Sequence, residues 1–516
     1  MKIKNTVCLA AVVWLTAVVA VQAGTSEPAE KINSLLRDRW ETAGLAPIPR
    51  ADDATFLRRA TLTLAGRLPT PREIRDFLRE RSPQKRQQAV ERLLKSEDFA
   101  RMLAMRYADM FRIKSEFPIN LWPNAVQLYH NYFLDAARRD RPFDAVVREL
   151  LTANGSNFRV APANFFRAAA DRSPAGLARA TARSLMGIRI ERFSEEEQSR
   201  LTDFFRRIRF KKTGEWKEEI VYDDPEPAEL TVGFPGEAPS TIFTATVNPR
   251  AVFADRLLNR GDPIFARAFV NRVWHWIFGR GLISPADDIA GPGSAAGTAV
   301  APEVLDALTE EFISSGYHVR ELYRLILATD AFTADWKCAP EEMSEADRLF
   351  AVYPVRRLEA ELVADILGNI TGASDRYRSV IPEPFTILPA DYPAVMLGDG
   401  SITSSTLELF GRPSRDTGGL DERNNLINAR QRLFLLNSSQ LYTRLNRLPQ
   451  RAAFRKLDQG KRIEEFYLRI LARKPLPEEV EIFRRYVEQM PPERRRYAFG
   501  DLGWALINSR EFLHYF

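Results

Sequence analysis

The sequence is poor in the residues that carry most metal and cofactor chemistry. It holds two cysteines, Cys8 and Cys338, and four histidines, His130, His275, His318 and His514, spread over 516 residues. Two cysteines exclude a disulfide scaffold, a four-cysteine zinc site and an intact CxxCH haem attachment. HExxH, GxSxG, GxxxxGK[ST] and a strand–helix GxGxxG are all absent. No metal and no cofactor is expected. Charge of one sign is scarce as well. Lys and Arg number 74 against 68 Asp and Glu, a net +6. Such a slight excess does not make a nucleic-acid surface. The basic clusters Arg138-Arg139, Arg206-Arg207, Lys211-Lys212 and Arg494-Arg495-Arg496 read as solvated faces, so no nucleic-acid partner is expected.

Long apolar runs are also missing, except at the start. Lys2 and Lys4 precede an apolar stretch from Val7 to Val21, and Val21-Gln22-Ala23 supplies the small residues a signal peptidase reads. Residues 1–23 are therefore expected to be a signal peptide cleaved after Ala23. No later run approaches ~18 uninterrupted apolar residues, so no membrane span is expected in the mature chain. The predicted address is the periplasm or cell surface.

What is present is globular composition: 45% hydrophobic and 10% aromatic. Helical periodicity dominates. The predicted fold is mainly α, multi-helical, with a small antiparallel β insertion near 211–247. The expected organisation is a helical module over 24–210, the β insertion over 211–250, a helical module over 251–338, and a C-terminal helical module over 339–516. The last contains a long Pro/Gly/Ser/Thr-rich loop, 382–423, expected to be functional or mobile. The flexible stretch Gly291 to Gly297 reads as a second loop. Among the predicted helices, Gln84 to Arg112 reads as one continuous element. Asp52 reads as a helix N-cap, and Thr70-Pro-Arg-Glu73 as a capping box.

One internal repeat is visible. Arg67-Leu-Pro-Thr-Pro-Arg-Glu-Ile74 parallels Arg473-Lys-Pro-Leu-Pro-Glu-Glu-Val480, with Phe77 and Phe483 in register. Leu94-Lys-Ser-Glu-Asp-Phe99 parallels Ile507-Asn-Ser-Arg-Glu-Phe512. Similar helix pairs are predicted, the first better capped.

Candidate site residues gather in two segments. Asn271, Arg272 and His275 lie on a predicted helix that runs into Gly279-Arg280-Gly281, where the glycines permit positive φ around Arg280. Asp287 and Asp288 come next, close enough to pair with Arg280 or Arg272. Arg412 and Arg415 lie on the long loop and could clamp an anion. The competing reading makes all of these structural ion pairs. Cys338 shows no sign of activation.

These segments resemble a family of exported bacterial proteins known mainly from planctomycetes, built of two paired domains of unknown function and often found beside a cytochrome c module. Phe56 to Pro71 resembles the start of the first domain, and Asp262 to Asp288 the signature of the second. Arg356-Arg-Leu-Glu-Ala-Glu361, Phe410-Gly-Arg-Pro413, Leu435-Leu-Asn-Ser438 and Asn508-Ser-Arg-Glu-Phe512 are similar to its tail. The resemblance covers about residues 35 to 516. Members often carry CxxCH after a segment like Leu185-Met-Gly-Ile-Arg-Ile190, and a CxC where this chain has Gly419 and Asp421. Both are missing here, which implies that a haem or redox role of the family does not extend to this chain.

The expected function is an exported, cofactor-free scaffold or binding protein, with a protein partner of the same exported pathway or a polysaccharide. The alternative is a hydrolase-like enzyme of extracellular polymer metabolism that uses Asp287 and Asp288. A weaker alternative is a redox component borrowing a partner's haem.

Overall fold

The computed structural model describes residues 26–289, 299–382 and 386–516, without the side chains of 452 and 453. The expected signal peptide, residues 1–23, and the expected loop over 291–297 lie outside the described residues. The fold is mainly α, with small antiparallel sheets of two or three strands. Among the described residues no helix is long and apolar enough to cross a membrane.

Local chemistry starts and stops the helices as the sequence predicts in two places. The Asp52 carboxylate accepts the amides of Ala54 and Thr55 at the head of the helix Asp53–Ala65. Thr70 and Glu73 form a reciprocal capping box at the head of Pro71–Arg79. The expected continuous helix from Gln84 to Arg112 is instead two, Lys85–Leu94 and Glu97–Met110. Ser96 breaks it: its hydroxyl accepts the Phe99 amide at 3.2 Å, restarting the helix in a new direction.

The β insertion is larger than its expected bounds. Ile208–Lys212 pairs antiparallel with Glu219–Asp223, and the latter also takes up Gly155–Ser156 from far upstream. Glu229–Val232 and Ser240–Phe243 form a separate hairpin. A further two-residue pairing joins Arg356–Arg357 to His514–Tyr515.

One contiguous apolar core runs from Ile32 to Tyr515. Aromatic contacts tie early and middle segments together. Phe143 stacks on Phe269 with centroids 4.0 Å apart, and Phe111 on Phe133 at 4.8 Å. Trp274 is fully buried against Phe278 and Phe350. This packing buries most of the helix Ile264–Phe278, whose Arg272 and His275 lie near the helix Glu97–Met110 and near Glu359, just before the helix Ala360–Thr371.

Candidate functional site: a cationic cavity at the junction

A cavity of about 150 Å³ opens where the helices Glu97–Met110 and Ile264–Phe278 meet Arg356, Glu359 and the loop after Pro413. Its lining includes Arg106, Asp109, Arg272, His275, Arg356, Glu359 and Arg423, with Gly418, Gly419 and Leu420 among the loop residues around it. Four guanidiniums therefore share the wall with two carboxylates and one imidazole.

Each carboxylate is held by arginines. Glu359 precedes the helix Ala360–Thr371 and makes no cap bond there, which frees its side chain. It pairs with Arg106 and Arg356 and accepts the Tyr515 hydroxyl at 2.9 Å. Asp109 receives Arg415 at 2.8 Å and Arg423 at 2.7 Å. Glu361, just behind, receives Arg423 at 2.7 Å and Arg412 at 3.4 Å. Burial opposes ionisation of Asp109, but Arg423 and Arg415 overcome it and bring the carboxyl down to about 2. Burial opposes ionisation of Glu359 likewise, and Arg106 and Arg356 hold it far below the usual carboxylate range.

The residues singled out in the sequence fall into four groups. Arg272 and His275 face the cavity. Asn271 does not: its buried amide grips the backbone N–H and C=O of Ile283, both at 2.9 Å, and so fixes the turn. Arg280 also points elsewhere. It pairs with Asp347 at 3.2 Å and lies over Phe350, not against Asp287 or Asp288. Of the two turn glycines, Gly279 has φ +83°, while Gly281 is needed for close approach, since a Cβ there would meet the Ile283 carbonyl at 2.3 Å.

Asp287 and Asp288 are buried and face arginines of the first half of the chain. Asp287 pairs with Arg183 at 3.2 Å and Arg189 at 3.7 Å, and Asp288 with Arg192 at 2.6 Å. Burial works against the Asp287 carboxylate, yet Arg272, Arg183 and Arg189 keep it below its ordinary range. Arg412 and Arg415 are buried structural clamps. Arg412 donates to the carbonyls of Leu397 and Asp399, and Arg415 to those of Leu397 and Gly398 as well as to Asp109. They pin the long loop to the helices and do not reach Asp287 or Asp288 through any ion pair among the described residues.

Sequence reasoning on single segments missed Arg106, Asp109, Arg356, Glu359, Glu361 and Arg423. The Arg356–Glu361 run and the Glu422-Arg423 pair carried the signal for four of them, as conspicuous charges beside apolar positions. Arg106 and Asp109 sit on the largely buried helix Glu97–Met110, which carries other charges at its start. Cys338 is half-buried and its thiol is pushed up by burial and by Glu342 and Glu341, so it is not activated. Among the described residues no three His, Cys, Asp or Glu side chains gather as a metal site.

No curated protein and no solved structure matches the chain. Two family models do: PSCyt2, a protein of unknown function (DUF1549), over residues 31–226, and PSD1, a protein of unknown function (DUF1553), over residues 249–487. The ion pairs from Arg183, Arg189 and Arg192 to Asp287 and Asp288 thus run from one matched region to the other. The chain belongs to the family in which these two domains of unknown function stand in tandem.

Proposed function

We propose that the protein is an exported, cofactor-free binding protein or scaffold of the periplasm or cell surface, and that it receives its partner or ligand at the junction cavity. Export rests on Lys2, Lys4, the apolar run after them and Val21-Gln22-Ala23. The observation that carries the binding reading is the state of the carboxylates. A general acid needs a pKa near the working pH. Asp109 and Glu359, which line the cavity, are both pulled down by arginine partners. The hydrolase alternative needs two carboxyls flanking one bond. Its pair, Asp287 and Asp288, is buried and engaged by Arg183, Arg189 and Arg192, so it offers no exposed acid and base.

The test is a panel of neutral and acidic extracellular polysaccharides, read for binding and for product release on the same samples. Retention of one class without chain shortening or released groups is the expected result. Time-dependent product formation would replace the binding reading with an enzymatic one. Intact mass of the exported protein, starting at Gly24, checks the address.

A further inference from the structure

Most buried arginines of this molecule have obvious work. Arg415 and Arg423 meet carboxylates, Arg250 pairs with Asp223, and Arg58 ties down the carbonyls of Glu511 and Phe512. Arg272 is different. Its side chain is buried, with the residue 2% exposed. Among the described residues its hydrogen bond goes to the Arg183 carbonyl at 3.1 Å, and no carboxylate lies within ion-pair distance. Asp287 acts on it only from further away, and burial pulls the guanidinium down to about 10. An uncompensated charge buried in a protein is costly, and proteins normally pair it. Arg272 lines the cavity, one helical turn from His275.

His275 is the second unengaged group. Among the described residues its ring makes no hydrogen bond. Burial, with Arg106, Arg272 and Arg356 around it, brings it down to about 3, so at neutral pH it is an uncharged imidazole with one N–H to donate. The other charges facing the cavity are Arg106 and Arg356, both on Glu359, Arg423 on Asp109, and those two carboxylates themselves. The wall therefore has a surplus of fixed positive charge, and Arg272, with no ion-pair partner, and His275, with no hydrogen bond, both have donor capacity to spare.

We infer that the junction cavity is an oxyanion site, in which a carboxylate or sulfate group is held between the Arg272 guanidinium and the His275 ring N–H. Size limits the ligand. A cavity of about 150 Å³ holds a group of about the bulk of benzene, so an acidic head enters, not a whole sugar ring. The rest of the molecule lies outside, past Gly418–Leu420. A guanidinium and a neutral N–H donor suit one delocalised negative charge. This inference rests on the binding reading above and narrows its ligand to an acidic one.

The experiment is calorimetric titration of the mature full-length protein at pH 7 with sodium acetate, sulfate and phosphate, with chloride holding ionic strength constant. Wild type is expected to take up one equivalent of acetate or of sulfate, and which of the two binds more tightly identifies the head group. R272Q is expected to weaken that binding at least tenfold. In chloride buffer free of acetate, sulfate and phosphate it should melt no lower than wild type, because a buried charge without an ion-pair partner has been removed. A structural arginine would instead show a lower melting point on substitution. H275F should also lose binding, whereas R280A, outside the cavity, should bind like wild type. Unchanged binding by R272Q, or no saturable uptake of any of the three anions by wild type, overturns the inference. If wild type retains a neutral polysaccharide while ignoring the anions, the oxyanion site fails and the binding reading stands. If the polysaccharide panel shows turnover, the binding reading itself fails.

Discussion

The two copies of the Arg–Pro–Glu unit use the same bonds around different backbones. In the first, Arg67 makes a bidentate pair with Glu73, both bonds at 2.9 Å, and reaches Asp98 at 2.9 Å. In the second, Arg473 holds Glu479 at 2.8 Å twice and Glu511 at 2.7 Å. Arg67 also bonds the Leu68 carbonyl at 3.1 Å, as Arg473 bonds that of Lys474. Ser96 and Ser509 each return a hydroxyl bond to the carbonyl three residues earlier. After that serine the copies part. The first continues as the helix Glu97–Met110, and the second runs into His514–Tyr515, a strand beside Arg356–Arg357. An arginine fork that ties a loop, a helix start and a returning segment thus tolerates either a helix or a strand downstream. The consequence differs, because the second copy delivers Tyr515 to Glu359 at the junction cavity.

The sharpest way to break this equivalence is to remove the arginines. R67A and R473A each leave two carboxylates without their fork, a loss of roughly 1–3 kcal/mol for part-buried pairs. R473A is expected to cost more. Asp98 lies in the first turn of a helix, where the N-terminal dipole and Arg101 at 3.6 Å still favour its charge. Glu511 pairs only with Arg473 among the described residues, and it precedes the segment that Arg58 and Tyr515 anchor in the core. Urea unfolding of both variants measures the difference. Equal losses, or a larger one for R67A, would show that the second copy is not coupled to the junction.

A smaller effect separates the two backbones just before the arginines. Gly66 has φ +64° and Ala472 φ +59°, both left-handed. Only glycine is at ease there. G66A is expected to lose about 1–2 kcal/mol, since the added Cβ would also meet Met102 Sδ at 3.1 Å and Val395 Cγ2 at 3.3 Å. A472G relieves the strain, but it adds chain entropy to the unfolded state and gives up a buried methyl, so its net effect should be close to zero. Thermal melting should therefore fall for G66A and stay nearly unchanged for A472G.

The repeat was legible in sequence because it is local. Pro-Thr-Pro-Arg-Glu announces a helix start, and an arginine six residues before the glutamate completes the fork within one turn of chain. The mainly α fold was legible for the same reason, from periodicity and caps. The junction was not. Asp287 and Asp288 find their partners about a hundred residues upstream, at Arg183, Arg189 and Arg192. No spacing rule connects those positions, so local spacing points instead to nearby Arg280 or Arg272. Arg280 instead turns outward to Asp347, because Asn271 locks the intervening turn on Ile283. Arg106 and Asp109 form a charged stripe on the helix Glu97–Met110 that no local pattern marks as functional. Only the tertiary arrangement shows that this stripe faces Arg356–Glu361 across a cavity. The strand Gly155–Ser156 was missed similarly, being too short to carry a pattern of its own.

The smallest difference between the copies is the cap. Glu73 and Glu479 each accept the amide three residues earlier at 2.7 Å, from Thr70 and from Leu476. Only Thr70 answers with a hydroxyl, accepting the Glu73 amide at 3.2 Å. T70V should cost about 1 kcal/mol and L476T should gain roughly 0.5–1 kcal/mol, the usual range for an N-cap hydroxyl. Leu476 is 55% exposed, so little apolar burial is lost in the exchange. The cap also enters the acid behaviour of its glutamate. Burial pushes Glu73 up, but the bonds from Arg67, the Thr70 amide and the Thr70 hydroxyl bring it down to about 2. A carboxyl whose folded pKa is depressed stabilises the fold above its unfolded value of about 4.3 and loses that contribution as pH falls toward 2. Hydrogen exchange along Pro71–Arg79 should therefore speed up, relative to the global unfolding rate, between about pH 4 and pH 2. In T70V part of the depression is gone, so the loss should begin at a higher pH. Pro477–Gln489 should show the same trend in wild type, and L476T should shift it toward lower pH. If the two helices responded identically in wild type and neither variant moved its own curve, the hydroxyl would have no part in holding the glutamate. The arginine fork alone would then define the repeat.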